Sequence, residues 1–297
     1  MTMKQETIIP AFPEHAQSDG GVGRIQTALR KAREEFGPAP ASEEFGSVPV
    51  AEKVAPLPPR DRFPTSLWST LPICEPDARQ LNRNRIVTTT RSDPAYVAFD
   101  MLRTKVLQLL RQNKWDTVLI TSPTPQCGKT LVSLNLAFSL ANQKDCRTLL
   151  VDLDLHRPQI GALLGVRDAP PLEDFLAERI GAEQAFRRYG ENIAIAPNGR
   201  PVTLAAELLQ SPGATRAVRS LKPKLAPDVV IFDLPPMLAN DDVAAFLPNV
   251  DCAILVVAAE QTTRAEVDLC ERELSQKTNL LGVVLNKCRY APEKYGY

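Results

Sequence analysis

The chain has 297 residues, and its 35 lysines and arginines balance 35 aspartates and glutamates. That length allows one large domain or two smaller ones with ample core. The cancelled charge gives no general affinity for polyanions, so nucleic acid is not expected as a partner. Six scattered cysteines with no C-x-x-C pair, beside only two histidines, argue against a zinc site and predict reduced thiols in a cytoplasmic protein. The start carries no basic-apolar leader, and no apolar run is long enough to span a bilayer directly.

Residues 1–90 read as a separate N-terminal segment. Seven prolines (38, 40, 49, 56, 58, 59 and 64) among charged and small residues predict an extended linker. One island, residues 24–36, places Ile25, Leu29, Ala32 and Phe36 on a single helical stripe that Gly37-Pro38 stops. It reads either as a helix packed on its own core or as a docking helix for a partner. Trp68 and Leu71 suggest a second small anchor.

Globular texture is expected over 91–288. A helix is predicted from Pro94 to Arg111. Val118, Leu119 and Ile120 form a buried strand that leads into SPTPQCGKT and then a long apolar helix. Strand, tight loop, Gly-Lys-Thr and helix are the context of a phosphate-binding loop. Backbone N–H groups of Gln126, Cys127, Gly128, Lys129, Thr130 and Leu131 would converge on phosphate oxygens at the positive helix end. Lys129 would reach the β- and γ-phosphates, and Thr130 would hold Mg²⁺. Cys127, at a helix N-terminus, reads as a candidate thiolate whose modification blocks nucleotide binding.

Further strands are predicted over 147–155, near 192–195, and over 228–234, 252–257 and 280–285. Short helical pieces fall near 172–179 and 203–210. A longer helix is opened by the capping box Thr263-x-x-Glu266. Apolar strands alternating with helices predict a doubly wound α/β fold with a mostly parallel sheet. In such sheets ligands bind beyond the carboxyl ends of the strands, where Asp152, Asp154, Asp233 and Asn286 all fall. Asp233 fits a metal-side acid acting through water. Asp152 and Asp154 share one strand face, so one can accept a proton while the other supports Mg²⁺.

The last eight residues hold three of the chain's five tyrosines, Tyr290, Tyr295 and Tyr297. The 289–297 tail is too polar and broken to be core. A phenol with a pKa of about 10 is a poor nucleophile, so transfer to it needs a base, for which Asp152 is the candidate.

Together VDLDLHRP, VVIFDLPPMLANDDVAAF and LLGVVLNKCRYAPEKYGY, following the phosphate loop, resemble the bacterial tyrosine autokinases of capsule and exopolysaccharide export (the CpsD/CapB type). The resemblance covers about residues 90–297. It implies a MinD/ParA-like P-loop fold, with SPTPQCGKT as Walker A, Asp152 and Asp154 in Walker A′, and Asp233 as the Walker B acid. It also implies adenine recognition by Asn286 and Mg-ATP-dependent autophosphorylation of the tail with self-association. The implied partner is the cytoplasmic part of a membrane-embedded protein that sets polysaccharide chain length. Several positions depart from the family pattern. Gln126 stands at a usual glycine, His156 at a usual arginine, and Val97 and Asp100 replace the first two residues of the Glu-x-x-Arg-x-x-Arg of the ring-packing helix, of which only Arg103 survives. The competing expectation is a ParA/MinD-type ATPase switch. Thr124, however, occupies the place of the extra P-loop lysine of those proteins.

Overall fold

The computed structural model describes residues 7–11, 67–75, 77–89, 93 and 95–288. The 24–36 island and the tail tyrosines Tyr290, Tyr295 and Tyr297 lie outside the described residues.

The chain runs β1 (Thr7–Ala11), α1 (Ala78–Arg83), α2 (Ala95–Asn113), β2 (Thr117–Thr121), α3 (Lys129–Ala141) and β3 (Thr148–Asp152). Next come α4 (Ile160–Leu164), α5 (Leu172–Leu176), α6 (Ala182–Ala185), β4 (Arg187–Arg188), β5 (Ile193–Ala196), α7 (Ala205–Gln210) and α8 (Pro212–Leu225). It closes with β6 (Val229–Asp233), α9 (Asp242–Phe246), β7 (Cys252–Ala258), α10 (Arg264–Lys277) and β8 (Asn279–Cys288).

The eight strands form one sheet in the order β1-β8-β7-β2-β6-β3-β5-β4. From β8 to β5 every pairing is parallel, and each edge adds one antiparallel strand. Alternate residues of β2 serve opposite cores. Val118 and Ile120 join α2, α3 and α4 on one face, while Leu119 joins α5 to α10 on the other. The doubly wound prediction therefore holds, and β2 sits where the strand order reverses, with its carboxyl end open to a ligand.

Two helices illustrate how sequence sets structure. The whole first two turns of α3 are buried or nearly so, which is why it reads as apolar all round. At α10 the capping box forms as expected. Thr263 Oγ1 accepts from Glu266 N, and Glu266 Oε2 accepts from Thr263 N at 2.7 Å.

The expected domain boundary at residue 90 is corrected. Residues 67–89 are part of the same fold, with Trp68, Leu71, Leu81, Ile86 and Val87 all buried. Trp68 Nε1 donates to Glu191 O, and Arg147 stacks over its ring. These apolar residues are dispersed among Pro, Arg and Asn, so they show no helical or strand period. Their burial comes from partners distant in the chain, as with Trp68 and Glu191, and Val87 and Asn135. Thr7–Ala11 likewise pairs with β8, Ile9 opposite Leu285.

Candidate nucleotide site

The loop from Ser122 to Gly128 links β2 to α3, and its neighbours fix its course. Met237 N donates to Ser122 O and Leu238 N to Pro123 O, so the segment after β6 is tied to it. Gln126 sits at φ +66°, the left-handed conformation that a glycine adopts without steric cost. Gly128 is at φ +89°, and a Cβ there would lie 2.3 Å from Asn286 Nδ2. Only glycine fits. Asn286 reaches across from β8 to donate through Nδ2 to Cys127 O at 2.9 Å, which ties the last parallel strand to the loop.

Cys127 departs from its expected role. Its side chain is 2% exposed and sits 3.6 Å from the hydroxyls of both Thr124 and Thr262, so reagents in solvent do not reach it. No disulfide joins any of the six cysteines.

Lys129 is buried at the start of α3, with Nζ 2.7 Å from Asp154 Oδ2 and 3.8 Å from Asp233 Oδ2. The ammonium also donates toward Thr130 Oγ1. Burial pulls its pKa down, but Asp233, Asp154 and Asp152 more than offset this and hold it above the usual lysine range. The carboxylates arrive by strand register: Asp152 ends β3 directly opposite Asp233 at the end of β6. Asp152 is fully buried, its Oδ2 accepts from Ile160 N at 3.0 Å, and its Oδ1 makes no hydrogen bond. Burial, then the neighbouring Asp233, push its pKa well above the carboxylate range. Asp233 is also raised, by burial, with Lys129 opposing. Asp154 Oδ1 accepts from Arg157 N at 3.1 Å, which curls the chain after β3 back on itself.

Five predicted residues (Lys129, Thr130, Asp152, Asp154 and Asp233) thus converge at one place. One ammonium faces three carboxylates, and Asp233 Oδ2 and Asp152 Oδ1 are buried without hydrogen bonds. That excess of carboxylate charge over a single ammonium fits a hard divalent cation. Among the described residues no three His, Cys, Asp or Glu side chains are grouped to hold a metal alone. The oxygens of Thr130, Asp154 and Asp233 beside the loop are of the kind Mg²⁺ takes, an ion that keeps waters and phosphate oxygens beside one or two carboxylates.

Two residues escaped the sequence reading. Ser133 Oγ lies 3.0 Å from Asp233 Oδ1 and 3.0 Å from Lys129 O. Its signal was a polar residue one turn after the loop lysine in an otherwise apolar stretch. Asp242 is 1% exposed and meets His156 Nε2 at 3.2 Å, so the histidine at the family's arginine position has an acidic partner on α9. Burial raises the Asp242 carboxyl, and His156 opposes that rise.

No protein-family model matches the chain. The tyrosine-protein kinase etk of Escherichia coli is 30% identical over 197 residues, covering 66% of this chain and 27% of that protein. The tyrosine-protein kinase YwqD of Bacillus subtilis is 29% identical over 222 residues, covering 73% of this chain and 92% of that protein. The chain spans about a third of the length of the longer curated relatives it matches. Among solved structures, the kinase domain of Escherichia coli tyrosine kinase ETK superposes with a TM-score of 0.62 at 28% identity, over 71% of this chain and 83% of that one. The P-loop lysine and its three neighbouring carboxylates thus lie in a chain that is similar, in both sequence and fold, to bacterial tyrosine-protein kinases.

Proposed function

We propose that the chain is a Mg-ATP-dependent protein-tyrosine kinase that phosphorylates Tyr290, Tyr295 and Tyr297 in its own tail, in a neighbouring copy. The observation that carries this reading is the Lys129 ammonium held between Asp154 and Asp233, with Asp152 buried beside them. The backbone N–H groups of 126–131 and Lys129 would hold the phosphates. Thr130 Oγ1, Asp233 and Asp154 would hold Mg²⁺, directly or through water, and Asn286 would meet the adenine. Bound Mg-ATP supplies the γ-phosphoryl group and a divalent charge that offsets the carboxylates.

Asp152 acts as the base. Its raised pKa brings it closer to neutrality than an ordinary aspartate, and a base near the working pH is the efficient one. It takes the phenol proton at Oδ1 as the tyrosine oxygen bonds to phosphorus and the bond to the β-phosphate oxygen breaks. Lys129 stabilises the charge that builds on the transferring group. From Lys287 onward the chain carries three basic residues (Lys287, Arg289, Lys294) against Glu293, a charge suited to the acid cluster. Phosphates at about −1.5 to −2 each would reverse that attraction and release it. On this reading the protein works in the cytoplasm beside a membrane-embedded polysaccharide chain-length protein; among the described residues, no helix is long and apolar enough to cross a membrane.

The test replaces all three tail tyrosines with Phe and follows radiolabel from Mg-ATP, with Lys129→Met as the control lacking phosphate contact. Label is expected to vanish in both. Undiminished label in the Phe protein moves the acceptors elsewhere, and ATP turnover with no protein label in the parent favours an ATPase switch.

A further inference from the structure

The hydrogen bonds around the site continue into residues 78–89. Asn135, buried on α3, accepts at Oδ1 from Val87 N at 2.8 Å and Thr88 N at 3.2 Å. Its Nδ2 donates to Arg85 O at 3.1 Å and to Leu131 O in its own helix at 2.9 Å. Thr88 Oγ1 returns a bond to Asn135 O, and Asn142 Nδ2 reaches Thr88 O. The same short segment also grips α4. Gln80 Nε2 donates to Ala162 O at 3.0 Å, and Asn84 Nδ2 to Leu163 O at 2.7 Å. Leu81, Ile86 and Val87 fill the wedge, in one apolar cluster with Val132, Ile160 and Leu164.

The two gripped helices are those that carry the site. Lys129 opens α3, and Ile160, which opens α4, donates the hydrogen bond that Asp152 Oδ2 accepts. At five residues, α4 is far too short to be stable alone, so tertiary contacts decide where it lies. The fit is close. At Gly165, just beyond α4, a Cβ would lie 2.6 Å from Gln80 Oε1.

We propose, resting on the kinase reading above, that residues 78–89 form a positioning strap across the back of the nucleotide site. It sets the separation of α3 and α4, and through Ile160 it sets where the Asp152 carboxylate and the Asp154 turn stand relative to Lys129. Gln80, Asn84 and Asn135 are positioning residues, since each acts only through a helix. This gives a physical reason for a buried, fully satisfied asparagine on an otherwise apolar helix face: it carries a stretch that has no regular pairing of its own.

Asn135→Ala would leave two buried N–H groups unpaired and endanger the fold. The test therefore uses full-length Gln80→Ala/Asn84→Ala, where the severed bonds lie toward the surface. Three quantities are read: the unfolding midpoint, hydrogen exchange of ligand-free protein, and affinity for a fluorescent ATP analogue with Mg²⁺ and with chelator. The midpoint is expected to change little and exchange over residues 152–165 to rise several-fold. Affinity in chelator should hold, while the gain conferred by Mg²⁺ should fall by about tenfold, the scale for groups that orient metal ligands. Faster exchange with an unchanged Mg²⁺ gain reduces the strap to packing, and unchanged exchange shows that it does not hold α4. Either result overturns the proposal. A parent that binds no Mg-nucleotide overturns the kinase reading instead, and the exchange data still decide whether the strap holds α4.

Discussion

Gly128→Ala isolates the tightest contact at the site. The residue lies at φ +89°, where a Cβ meets Asn286 Nδ2 at 2.3 Å. Left-handed backbone costs about 1–2 kcal/mol for an L-residue, and alanine's smaller unfolded-state entropy returns about 0.4–1, leaving about 1 kcal/mol. Asn286 must also swing away and forfeit its bond to Cys127 O, worth about 1 kcal/mol. The single variant should thus lose about 2 kcal/mol, or roughly 4–8 °C in unfolding midpoint for a domain of this size. Asn286→Ala alone should lose about 1 kcal/mol, because only the hydrogen bond goes. The double variant should lose about 2 kcal/mol and not the additive 3, a coupling of about 1 kcal/mol between the two positions. Denaturant unfolding of the four proteins closes the cycle. Strict additivity would show that the asparagine does not buttress the loop, and an unperturbed Gly128→Ala would refute the left-handed geometry.

Two further outcomes follow from strain and from charge. Gln126→Gly should relieve the φ +66° backbone at the family's usual glycine position. The net stabilisation is up to about 1 kcal/mol after the unfolded-state cost of glycine, and a loss in urea unfolding would contradict it. Asp152→Asn should stabilise the protein at pH 8 while abolishing tail labelling. Asp152 titrates higher folded than unfolded, so the folded chain holds its proton more tightly. Stability from this group is therefore greatest below the unfolded carboxylate pKa of about 4 and falls as pH rises through the folded value. The advantage of the asparagine should vanish toward pH 4, and a pH-independent difference would contradict the sign.

The phosphate loop, the six parallel strands and the aspartates that end β3 and β6 were legible because each is a local pattern: an apolar run closed by a polar residue at a fixed place. Asp154, expected on one strand face with Asp152, instead lies two residues beyond the end of β3. What was not legible depends on distant partners or on misleading local signals. Helix α8 hides behind Pro212, Gly213 and Pro223, which read as turn residues. In place, Pro212 opens the helix, where its missing N–H costs nothing, and Ser211 Oγ caps Ala214 N. Residues 67–89 carry no period at all. The loop cysteine's local setting suggested reactivity, and only the approach of Thr262, 135 residues away, shows that it is enclosed. The carboxylates were expected on one face, but the pairing of Asp152 with Asp233 is a matter of strand register, which no single segment encodes.

At the β4 edge the sheet is closed by its own chain. Cys74 N donates to Arg188 O and Arg188 N to Pro72 O, so residues 72–74 use the outward hydrogen-bonding groups of a strand only two residues long. A second molecule therefore finds the outward groups of Arg188 already taken. Contacts between copies on this side must be made by side chains on helices and loops. Such contacts respond to a change of charge, whereas a backbone ladder does not, so the tail phosphorylation proposed above would dissolve an association of that kind as readily as it forms.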